Sequence, residues 1–108
     1  MTMNELEEFF VHEVVLAPLV GSGGYGDVHG PLTDPIPCLV DDRTQLVRDR
    51  TGAEVVSSST VYAGPDAPDG PPGSLVTLPS GRVATVITQA RRTSGGLGLP
   101  DHVEWALT

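Results

Sequence analysis

The stretch Leu46 to Tyr62, LVRDRTGAEVVSSSTVY, restricts what this chain can become more than any other. It reads as two extended segments joined by a turn at Arg50-Thr51-Gly52. Glycine supplies the positive φ that a tight hairpin turn needs. The second segment, AEVVSSSTVY, is built from Val, Ser and Thr, which suit a pleated strand better than a helix. A chain organised around such a hairpin is expected to be a β protein. Its 13 glycines and 10 prolines in 108 residues agree, since they supply many turns and oppose helices.

Four further segments alternate or run apolar in the manner of strands. Residues 11–20 place Val11, Glu13, Val15, Ala17 and Leu19 on one face and His12, Val14 and Leu16 on the other, with Pro18 marking an edge or a bulge. Residues 36–49 and 53–63 flank the hairpin turn. Asp41-Asp42-Arg43 interrupts the first of them, at a bulge or where the strand leaves the core. Small residues at Ser57 and Ser59 fit a tightly curved wall. Leu75 to Leu78, a turn at Pro79-Ser80-Gly81, and Val83 to Ala90 give two more strands. In the last, Asp101 to Thr108, Val103, Trp105 and Leu107 share one face, while His102, Glu104 and Ala106 share the other. The expected fold is all-β: a small six-stranded antiparallel barrel, closed or nearly so, with long Gly/Pro-rich loops. Residues 11–108 form the single domain and residues 1–10 a short N-terminal arm, with one or two helical turns over Thr2 to Phe10. Five aromatic residues and 39% hydrophobic content make the core thin, with Trp105 its largest anchor.

The loops are expected at 21–35, 64–73 and 91–99. GSGGYGDVHGPLTDP lacks the lysine, the glycine spacing and the following helix of a phosphate-binding loop, and reads as a surface loop ordered by a partner. Its Gly23, Gly24, Tyr25, Gly26 and Asp27, the Asp66 and Asp69 of the proline loop, and the pair Arg91-Arg92 are the candidate partner contacts. For Arg91-Arg92 and Arg48/Arg50, docking on an acidic neighbour and simple strand-end charge remain equal readings.

Fourteen acids face six arginines and no lysine, giving a net charge of −8. Tight binding to a phosphate backbone is opposed by that balance. No reactive constellation appears. Ser57, Ser58 and Ser59 lie mid-strand, Asp101 and His102 point to opposite faces, and His12, His29 and His102 stand in separate segments. The lone Cys38 sits in an apolar run and reads as a small buried hydrophobe. The expectation is therefore a non-enzyme without cofactor or metal. No segment approaches the ~18 apolar residues of a membrane span. The acidic start MTMNELEEFF is not expected to act as a secretory signal, and synthesis in the cytoplasm is expected.

Taken in order, YGD at 25–27, LVRDRTGAEVVSSSTVY, the P-SG-R turn ahead of a TVI strand, and PDHVEW at 100–105 resemble the head-to-tail stopper (head-closure) proteins of long-tailed bacteriophages, particularly those of actinobacterial phages. The resemblance spans roughly residues 11 to 108. It implies a structural virion protein at the head-tail junction, a small barrel assembled as a homo-oligomeric ring. Six copies are preferred and twelve are the alternative. The portal and adaptor would lie on the head side, the tail terminator or tail tube on the other, and DNA would pass without specific binding. Some members of the family close the channel with an extended connection between the second and third strands. Here that connection is read as only Arg50 to Gly52, which places a plug there in doubt. The alternatives are another neck or tail-completion protein, an adaptor or a tail terminator, and, further off, a small barrel binding module.

Overall fold

The computed structural model describes residues 12–23, 26–49, 51–92 and 101–108. These form ten strands and, among the described residues, no helix: β1 His12–Ala17, β2 Leu19–Gly23, β3 Gly26–His29, β4 Ile36–Asp41, β5 Gln45–Arg48, β6 Glu54–Ser57, β7 Ser59–Ala63, β8 Leu75–Thr77, β9 Val83–Arg92 and β10 His102–Leu107. Six of them close a barrel in the order β1-β4-β7-β10-β9-β8, and every pairing in it is antiparallel. Each of the six strand segments expected from sequence contributes one strand to the barrel.

Of the remaining four strands, β2, β5 and β6 arise because three expected continuous strands are each broken, and β3 lies in a segment expected as loop. Pro18 has no N–H to give to a ladder, and the chain turns out of the barrel there into β2. Residues 21–35, expected as loop, begin instead with the β2–β3 hairpin, paired from Leu19↔His29 to Gly23↔Gly26. Its turn residues Gly24 and Tyr25 lie outside the described residues, as do the expected N-terminal arm, Arg50, and most of the 91–99 connector. The second break separates β4 from β5 and the third separates β6 from β7. The register runs from Asp41↔Thr60 directly to Gln45↔Ser57, so three residues on one side oppose two on the other. An unequal count bends and twists a hairpin. Beyond it β5 and β6 continue as a separate two-stranded sheet, here called the arm.

Inside the barrel the alternation is as expected. Val14, Leu16, Val61, Val103, Trp105 and Leu107 are fully buried, with Cys38, Val76 and Val86 beside them. Full burial of each such aliphatic side chain is worth about 1.5–3 kcal/mol relative to exposure. Trp105 is the largest of these fully buried side chains, and the described interior of the barrel is a packed core.

Candidate functional site

The arm lies back over the barrel's outer wall. Gln45 Nε2 donates to Thr60 Oγ1 at 3.0 Å, tying the base of the arm to β7. Thr60 and Ala106 point outward by alternation, yet both are buried, because the arm covers them. Two clefts of about 360 and 270 Å³ separate arm and wall. The larger lies between Val55 and the β9 residues Thr85 and Ile87, the smaller between Val47 and Ala90, Glu104 and Ala106. The turn at the arm's tip is organised by Asp49. Its Oδ1 accepts from Thr51 N, Thr51 Oγ1 and Ala53 N at 2.9, 2.6 and 3.1 Å, and Gly52 adopts φ +87°. An aspartate whose side chain caps the backbone two residues on is a common way to start a turn. Sequence reading placed Thr51 and Gly52 in the turn but overlooked Asp49.

The outer face of the arm is unusual. Leu46 and Val56 are direct cross-strand partners, and they are 68% and 59% exposed. Arg48 and Glu54 flank them on the same face, 3.4 Å apart and both largely in solvent.

One end of the barrel is sealed by the 64–73 segment. Gln89 is its centre. Gln89 Oε1 accepts from Trp105 Nε1 at 2.9 Å and from Gly70 N at 2.6 Å, while Gln89 Nε2 donates to Asp69 Oδ1 at 3.0 Å. Arg91 adds an ion pair to Asp69 at 2.9 Å and bonds to the carbonyls of Pro65 and Ala67. These hydrogen bonds from Arg91 and Gln89 hold the Asp69 carboxyl below the usual carboxylate range. Gly70 passes so close to the indole that a Cβ there would lie 3.0 Å from Trp105 Nε1. Ala67 packs on the core, as the one apolar residue of the segment able to do so. Asp69 and Arg91, singled out separately in the sequence, are thus brought together; Asp66 is exposed on the same segment. Arg92 pairs in register with His102 at the end of β9. The β2–β3 hairpin is fixed to this end as well, through His29 Nε2 and Gly73 O at 2.9 Å and through Leu19 N donating to Ser74 Oγ at 2.9 Å. Gly23, Gly26 and Asp27 lie on that hairpin.

At the opposite end the small residues Ser57 and Ser59 serve the backbone break. Ser57 Oγ donates to Ser59 O and Leu107 O. Ser59 Oγ donates to Asp42 at 2.6 Å and accepts from Arg82 at 3.1 Å. Among the described residues no buried side-chain nitrogen or oxygen lacks a hydrogen-bond partner. Nor, among them, do three or more His, Cys, Asp or Glu residues group so as to hold a metal ion. Burial, with Glu13 nearby, pushes the Cys38 thiol up to about 12, which keeps it protonated and unreactive at neutral pH. Burial, with the carboxylates of Glu104 and Asp41, likewise raises Tyr62.

Comparison with family models, curated proteins and solved structures finds no match to this chain. The described residues define a closed antiparallel barrel with a filled interior, one latched end and two hairpins packed outside the barrel.

Proposed function

We propose that this chain is the subunit of a head-to-tail stopper ring in the neck of a long-tailed phage, set between the portal and adaptor on one side and the tail terminator on the other. The ring retains packaged DNA and gives the tail its docking platform. The observation that carries this reading is the arm. The chain between the second and third barrel strands forms β5 and β6 outside the barrel, so the connection between them is residues 42–58, not the three-residue turn alone. That restores the extended connection which the family resemblance implies for closing a channel. A filled barrel has no lumen of its own, so the DNA passage is the hole enclosed by six copies, or twelve. A net charge of −8 suits a wall past which duplex must slide without sticking. Adaptors are helical as a rule, which ten strands oppose. A tail terminator is told apart by its place in the particle.

The test is a phage from which this gene is removed. Expected are DNA-filled heads that leak their genome and free tails that fail to join, with both defects cured by supplying the chain. Negative-stain images of the cured particle should show a ring at the neck containing it. Normal virions from the deleted phage would end the reading.

A further inference from the structure

We propose that the outer face of the arm docks on the β2–β3 hairpin of a second copy of this chain, linking copies head to tail. The direction of the contact rests on the ring reading.

Both hairpins are two-stranded sheets whose outer edges are unpaired among the described residues. Such a sheet needs a third strand or a covering surface to be stable in water. The arm has cover on its inner face alone. The exposed large hydrophobics fall mainly in two places: Leu46 and Val56 on the arm, and Val20, Val28 and Leu32 on the β2–β3 hairpin and the segment leaving it. Scattered single exposures are ordinary, but two opposed residues on one strand pair form a patch.

Charge says which surface meets which. Between residues 12 and 41 the chain has Glu13, Asp27, Asp34 and Asp41 and no lysine or arginine. Asp27 and Asp34 are exposed, and among the described residues neither is in an ion pair. The arm presents the exposed guanidinium of Arg48, which donates to the Gly52 carbonyl at 2.8 Å and pairs with Glu54 in solvent at 3.4 Å. Such a pair contributes little and exchanges readily for another partner. Arm against hairpin therefore joins apolar to apolar and brings Arg48 toward the unpaired carboxylate of Asp34, two residues from Leu32, while Asp27 faces the other side of β3 from Val28. Arm against arm would leave the Val20, Val28 and Leu32 surface bare and the carboxylates unmatched. Two different patches on one subunit also give the heterologous contact from which rings close.

The test uses two single-cysteine variants, Leu46→Cys and Val28→Cys. Native Cys38 is fully buried and does not report. Each variant alone, and the two mixed, are held concentrated with oxidised glutathione. A disulfide-linked dimer in the mixture alone is the expected result. A dimer from Leu46→Cys alone would mean symmetric arm-to-arm pairing, and no dimer in the mixture would mean no contact; either overturns the proposal. By sedimentation, Leu46→Asp should weaken self-association roughly tenfold or more, as loss of a central apolar contact does. Unchanged association would also overturn it. Imaging separates the two readings. A neck ring whose copies do not cross-link 46 to 28 sinks the docking and leaves the stopper. A cross-linking chain absent from the neck does the reverse.

Discussion

β10 and the arm obey the same two-residue alternation with opposite outcomes. In β10 the apolar set Val103, Trp105 and Leu107 faces inward and is lost entirely to solvent contact. In β5 and β6 the set Leu46 and Val56 faces outward, while Gln45, Val47 and Val55 lie half-buried against the wall. Alternation fixes which residues share a face. It does not say which face finds cover, because that depends on what packs against the strand. The barrel closes on itself and abolishes its edges, so its inner face is guaranteed a partner. The arm has one wall only. Its stability is borrowed from the barrel, and its outer face is left for contacts beyond the subunit.

The sharpest way to break this contrast is at Trp105. Its indole is 0% exposed and its N–H is paired to Gln89. Trp105→Ala should cost about 3–5 kcal/mol, visible as a large fall in the midpoint of thermal or urea unfolding. Stability near that of the parent would mean that the barrel interior is not the source of the fold's stability. The contrast with the arm would then fall.

Gln89 sharpens the comparison at one end of the barrel. Gln89→Ala leaves the Trp105 N–H and the Gly70 N–H without their shared acceptor. An unsatisfied buried donor costs about 1–3 kcal/mol. Amide exchange in residues 64–73 should quicken, while β5 and β6 keep the protection of the parent. Equal quickening in the arm would show that the sealed end and the arm open as one unit.

The barrel strands were legible because inward residues of closed sheets must be apolar, and their spacing survives in the sequence. His102 to Leu107 could be assigned to faces residue by residue for that reason. The breaks were only partly legible. Pro18 and Asp41-Asp42-Arg43 announce an interruption, but a bulge and a departure from the barrel look alike until the partner strand's register is known. Ser58 announces nothing. Its strand stops because Ser57 Oγ and Ser58 N both turn to Leu107 O, a residue 50 positions or so away. The β2–β3 hairpin was read as loop because its glycines mask a four- and five-residue pairing of low β propensity. Gln89 was invisible too. A glutamine within a strand reads as solvent-facing unless the two donors it serves are known to converge on it.

The smallest expected effect tests the arm itself. Leu46→Thr removes an exposed apolar side chain and puts a β-branched residue in the strand. Its partner Val56 is also in water, so no cavity forms and no buried group loses a contact. Substitutions at such sites usually stay within about 0.5 kcal/mol, and strand propensity favours threonine. The unfolding midpoint of the dilute protein should hardly move. A loss above about 1 kcal/mol would mean that the subunit already covers this face. The arm would then be a seventh part of the core, with no surface left over for a neighbour.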